Sequence, residues 1–144
     1  MQIKLVADIF VQAKEQTLLV RYAHPEKYDG QRGWFLPDDF LVHGEHPADA
    51  ARRILADQLG IADAEVALDH IESLDGEDWH LIFHFKTQLP RLETPHASSD
   101  IAEARWFPLV DLPARADVAH DGWAIDLIAA MSEVIPAGST DRPR

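Results

Sequence analysis

The sequence contains no cysteine, so disulfides, thiol nucleophiles and zinc–thiolate sites are excluded. Long apolar runs are missing as well. The longest stretches, such as Trp79-His80-Leu81-Ile82-Phe83-His84-Phe85, are short and interrupted, whereas a membrane span needs ~20 apolar residues. The N-terminus, Met1 to Asp8, reads as a strand without the basic stretch and apolar core of a secretory leader. A cytoplasmic location with no membrane partner is therefore expected. Positive charge is scarce: 13 Lys and Arg face 25 Asp and Glu, a formal net charge of −12 with no basic cluster. Such a chain repels nucleic acid. It also repels a small phosphorylated molecule unless a divalent cation or a few local arginines screen the ligand. The bland reading of the same charge is solubility. Internal repeats, a linker-like break and a helix-turn-helix are absent too, which argues against a self-contained transcription regulator.

What remains is a 144-residue chain with 47% apolar and 26% charged residues, enough for one core and too apolar for disorder. A single domain is expected over residues 1–135, followed by a frayed tail over 136–144 that holds Pro136, Gly138 and Pro143. Gln2 to Val11 and Thr17 to Tyr22 read as paired strands joined through Ala13-Lys14-Glu15-Gln16. Residues 23–33 carry the loop signals Pro25, Asp29-Gly30 and Gly33, and Trp34 to Pro37 reads as a short strand ending near its proline. Pro47 suits a first helical position and Gly60 a left-handed cap. Between them Ala50, Ala51, Ile54, Leu55 and Leu59 recur at helical spacing. Strands are expected over 65–73, 79–87 and Glu103 to Phe107, and a second amphipathic helix over 122–134. The order predicts an α+β fold, an α/β/α sandwich with a mixed sheet packed between helices.

The informative stretch runs from Trp34 to Ile61, WFLPDDFLVHGEHPADAARRILADQLGI. Leu36-Pro37, Gly44-Glu45, Arg53 with seven residues between it and Glu45, Leu55, Gly60 and Ile61 resemble the Nudix box without a gap. Glu103-Ala104-Arg105-Trp106-Phe107-Pro108 resembles that family's late strand. The resemblance covers roughly residues 3–134. It implies the Nudix fold, a nucleoside diphosphate derivative as ligand, and Mg²⁺ or Mn²⁺ as cofactor. Many members of the family dimerise, so a homodimer is allowed.

Departures from the pattern define a degenerate box. Asp38-Asp39 replace the Gly-Gly after the proline, Ile54 replaces the glutamate after the arginine, and Asp57-Gln58 replace the Glu-Glu pair. In active relatives these helix glutamates hold the cation and activate water. Positions 54, 57 and 58 share one helix face, and a hard cation needs oxygen ligands. Ile54 has no oxygen to offer, and Gln58 has only a neutral one. Losing a positioned base costs ~10²–10⁴ in rate.

Asp57, Glu103, Glu45, Asp38 and Asp39 are the candidate metal ligands that the resemblance implies. Asp57 equally fits a surface ladder with Asp49 and Arg53, Glu103 an edge charge, and Asp38-Asp39 a polar turn. Glu45 reads more readily as the partner of Arg53, with Gly44, Arg53 and Gly60 as the structural residues of the box. His120 before the last helix is placed like the general base of GDP-mannose mannosyl hydrolases. In that branch a hydrophobe also follows the box arginine, and the sugar carbon is attacked. His120 and Asp57 are thus the candidate catalytic residues, although His120 also reads as an exposed helix-start histidine. Arg21 and Arg32 could grip phosphates, and His80 and His84, on one side of a strand, could line a cavity. His43 and His46 read better as turn or capping residues than as metal ligands. Two functions follow: a hydrolase of a nucleoside diphosphate derivative with weakened or altered catalysis, or an inactive nucleotide-binding module on the same fold.

Overall fold

The computed structural model describes residues 2–132; the expected tail over 136–144 lies outside them. Strand β1 (Ile3–Ala13) turns into β2 (Gln16–Tyr22) through Lys14 and Glu15, at φ 50° and 61°. That is the two-residue hairpin geometry whose twist matches the strands it joins. A short 3-10 helix (Pro25–Lys27) interrupts the next loop, and β3 is Asp38–Phe40. Helix α1 (Pro47–Leu59) precedes β4 (Ala67–Asp75), β5 (Trp79–Gln88) and β6 (Ile101–Pro108). Helix α2 (Ala119–Met131) closes the described chain.

The six strands form one mixed sheet in the order β4-β5-β1-β2-β6, with β3 added beside the first half of β1. The β1–β5 pairing is parallel and the other pairings are antiparallel. The short strand expected at Trp34–Pro37 is replaced by single bridges, Val20 to Phe35 and Trp34 to Val118. Regular pairing begins only past Pro37, because a proline has no N–H to give a ladder.

Side-chain alternation along β1 divides the core. Ala7, Ile9 and Val11 join Val20, Ile54 and Leu55 under α1. Phe10 joins Leu19, Trp34 and Leu36 under Leu127, Ile128 and Met131 of α2. Two apolar layers flanking one sheet are the expected sandwich. His46 caps α1, its Nδ1 accepting from the Ala48 N–H at 3.0 Å, and Gly60 ends it in the left-handed region at φ 69°. A Cβ at Gly33 would stand 2.5 Å from the Asp117 carbonyl oxygen. Only glycine therefore lets this loop pass so close to the start of α2.

The face turned toward α2 positions the site. In register across the strands, one row reads Asp38–Asp8–His84–His70 and the next reads Phe40–Val6–Ile82–Glu72. The mixed side of β5 therefore faces inward here. The first of these rows is polar from end to end, and Asp8 and His84 in it are buried.

Candidate active-site cleft

A cleft of about 290 Å³ opens on that face. Tyr28 and Asp29 from the loop after β2, Asp38 and Phe40 from β3, His80 from β5, and His120 and Trp123 from α2 line it. Its volume is at the small end of ligand cavities, about 300–1,000 Å³. Lys27 is the one lysine or arginine among the described lining residues, against Asp29, Asp38 and Asp39. Burial holds the Asp38 carboxyl well above the ordinary carboxylate range, and the nearby charges of Asp8, Asp39 and Asp29 add to the effect. The wall is thus acidic and short of positive charge, and aromatic rings frame it.

His120 sits where the chain enters α2. His120, Asp121 and Gly122 all have positive φ (53°, 55° and 87°), so regular helix begins only at Trp123. Non-glycine residues in this region cost about 1 kcal/mol or more each and concentrate at functional sites. The turn is held from outside. The His120 N–H donates to Gln31 Oε1 at 2.9 Å, and Arg115 donates to the Asp121 carbonyl at 2.9 Å. His120 Nε2 lies 3.6 Å from Asp29 Oδ2, and its ring meets Phe35 and Trp123 edge-on at 6.0 and 5.9 Å.

The helix face that carries the family's metal ligands is spent on packing. Ile54 is buried in the core. Gln58 is buried, accepting from the Tyr22 hydroxyl at 2.9 Å and donating to the Asp38 carbonyl at 2.9 Å. Asp57 is exposed, and it does not line the cleft. A hard divalent cation wants several oxygens at once, and this face presents one free carboxylate, so the residues at α1 do not fit the ion.

The other carboxylates named from the sequence are dispersed. Glu45 takes a two-pronged bond from Arg53 (2.9 and 3.1 Å), and the Val42 N–H also donates to it. The Arg53 hydrogen bond, more than anything else, holds the Glu45 carboxyl below its ordinary range. Asp39 is 3.7 Å from Arg53 Nη1. Asp49 pairs with Arg52 and not with Arg53. Glu103 accepts from Arg21 and Arg105, and both guanidiniums lie over the Trp34 ring. Arg21 is therefore committed to Glu103, and exposed Arg32 lies outside the cleft lining.

His80 lines the cleft, whereas His84 is fully buried beneath it. His84 Nδ1 is 2.7 Å from Asp8 Oδ1 and Nε2 is 2.8 Å from Glu72 Oε1. Burial presses the His84 ring toward its neutral form, but the bonds and charges of Asp8 and Glu72 outweigh that and raise its pKa. Tyr22 and Trp34 are core residues. Sequence reasoning missed Asp8, Asp29, His70 and Glu72. One legible signal was Asp8, a charge between the apolar runs Leu5 to Ala7 and Ile9 to Val11. Another was His70-x-Glu72, whose spacing of two puts both on one sheet face.

A NUDIX domain model matches residues 3–127. The chain belongs to the NUDIX family. This Nudix chain is similar in structure to a MutT NUDIX hydrolase from Burkholderia pseudomallei, at 18% identity and TM-score 0.69, covering 87% of this chain and 96% of the other. An Ap4A hydrolase from C. elegans, solved as a binary complex, matches at 17% identity and TM-score 0.67, with 88% and 96% covered. The NUDIX domain of NrtR from Shewanella oneidensis, solved with ADP ribose, matches at 18% identity and TM-score 0.69, with 90% and 88% covered. At these identities the likeness establishes the Nudix fold alone. No curated protein matches the chain. Among the described residues, no helix is long and apolar enough to cross a membrane.

Proposed function

We propose that this Nudix chain hydrolyses the glycosyl–diphosphate bond of a nucleoside diphosphate sugar from the cleft under α2, with His120 as general base. The observation that carries this reading is His120 on the cleft wall beside Asp29, in a strained turn, while Ile54 and Gln58 close the box helix to a cation. The box is degenerate in use as well as in sequence.

An acidic wall opposes attack at phosphorus, where negative charge must gather. It favours attack at the sugar carbon, because glycosyl transfer passes through an oxocarbenium-like state whose positive charge Asp29 and Asp39 would stabilise. In that step a water oxygen bonds to the anomeric carbon and His120 takes a water proton. The carbon–oxygen bond breaks, and its electron pair leaves with the nucleoside diphosphate. The cavity suits the sugar end of such a ligand, with the diphosphate toward Lys27 at the rim.

The second reading, a nucleotide-binding module without turnover, is favoured by the commitment of Ile54 and Gln58 to the core. A panel of nucleotide sugars, ADP-ribose and nucleoside triphosphates separates the two, assayed for released sugar and phosphate with and without Mg²⁺ or Mn²⁺. Turnover that His120→Ala lowers ~10²–10⁴-fold and Asp57→Ala leaves within about twofold supports the hydrolase. Ligand-raised melting temperatures without product support the binding module. Loss of activity in Asp57→Ala alone would return the chemistry to the box helix.

A further inference from the structure

We propose a transition-metal site, of the kind that takes Zn²⁺, formed by His70 and Glu72 on β4 and His84 on β5. Among the described residues these three form the one group whose candidate ligand atoms all lie within 4.8 Å of one another. The box carboxylates have no part in it, and it does not depend on the reaction proposed above.

The register builds the site. His70 and His84 are direct cross-strand partners, and Glu72 is two residues along on the same face. Their ring centroids are 4.5 Å apart. Zinc in a tetrahedron sets its ligand atoms about 3.3 Å apart at bonds of about 2.0–2.1 Å. His84 Nε2 and Glu72 Oε1 already stand 2.8 Å apart. Closure falls to the more exposed partners, since the side chains of His70 and Glu72 are 39% and 34% exposed against 0% for His84. Those two exposed groups also give the ion its way in.

An independent observation is how the two rings are held. Metal-bound histidines commonly give their second nitrogen to a carboxylate, which fixes the ring and its tautomer. Both rings here have that partner on Nδ1: Asp8 Oδ1 at 2.7 Å for His84 and Asp69 Oδ2 at 2.7 Å for His70. Each Nε2 would then be the ligating atom. Neighbours in a regular strand face opposite sides, so Asp69 would ordinarily point away from His70. A register shift between Leu68 and His70 lets it reach the ring, which is the use a bulge has beside a site. Lys86 Nζ, 3.4 Å from Asp69 Oδ1, steadies that carboxylate in turn. Two imidazoles and one carboxylate suit a borderline ion better than Mg²⁺, which favours all-oxygen shells. A fourth position stays open, as in catalytic zinc sites. The Trp123 ring packs 5.7 Å from His84 and 5.9 Å from His120, so the ion would stand one indole away from the cleft.

The test is metal titration of the full chain, with Zn²⁺ against a chromophoric chelator and with Co²⁺ followed by its visible absorption. The wild type is expected to bind one equivalent, unaffected by millimolar Mg²⁺, with the intense Co²⁺ bands of a four-coordinate site. His70→Ala and Glu72→Gln, at partly exposed positions outside the core, are expected to weaken binding more than 10-fold, and Asp69→Asn about 10-fold. The double variant His43→Ala/His46→Ala should bind as the wild type does. Circular dichroism verifies that each variant is folded. Absence of micromolar binding in the wild type overturns the site, as does undiminished binding in His70→Ala or loss of binding in the His43/His46 variant.

Discussion

Asp38 concentrates the electrostatic tension of the cleft at one residue. Its backbone is fastened on both sides, with the N–H donating to the Tyr22 hydroxyl at 2.9 Å and the carbonyl accepting from Gln58. Its carboxyl, by contrast, faces other carboxylates. A carboxyl held above its ordinary value of 3.8 binds its proton more tightly folded than unfolded. Stability from this group is therefore greatest in acid. It declines as pH rises from the unfolded value through the folded one. Asp38→Asn keeps the shape and removes the charge. It is expected to stabilise the protein at pH 7 by about 1–3 kcal/mol, read as a rise of several degrees in melting temperature, with little change near pH 3.

At the scale of elements, α1 has the outline of the family's box helix and packs Ile54 and Gln58 into the core. Glu45 and Arg53 brace the loop before it, and their side chains are 15% and 27% exposed. Glu45→Gln is expected to cost about 1–2 kcal/mol, the range for a partly screened hydrogen bond to a charged group. Because Glu45 is held below its ordinary value of 4.5, its contribution is present above that pH and lost as pH falls through the folded value. The variant should therefore lose stability at neutral pH and show a flatter acid limb in thermal melts. Gln58→Glu, which restores a family glutamate, is expected to destabilise rather than activate. The amide that donates to the Asp38 carbonyl becomes a buried carboxylate facing it, at a cost of about 1–3 kcal/mol or more. Urea melts with and without Mg²⁺ verify this, since a rescued metal site would show as stabilisation by the ion.

For the molecule as a whole, much of the fold was legible because its signals are local. The Pro47 and Gly60 punctuation, the helical spacing of Ile54 and Leu55, and the alternation along residues 79–87 each name an element from neighbouring residues. The Glu45–Arg53 spacing was legible too, since a loop and a helix eight residues apart meet wherever that box folds. The cleft was not, because it depends on register. Nothing in the sequence says that Asp8 of β1 lies between Asp38 of β3 and His84 of β5, or that His70 completes the row from β4. The helix expected from residue 122 begins as regular helix at Trp123, but the left-handed turn before it was not legible, for a similar reason. Left-handed geometry at His120 and Asp121 is imposed by Gln31 and Arg115 from elsewhere in the chain. The resulting arrangement places an acidic, aromatic cleft on one sheet face and a closed box helix on the other. Under the proposed reaction the sugar carbon is the centre attacked. Turnover of a nucleoside diphosphate sugar in ¹⁸O-water, followed by mass spectrometry of both products, tests that most directly. The label is expected in the released sugar and absent from the nucleotide; label in a phosphate, or no hydrolysis of any nucleotide sugar, would contradict it.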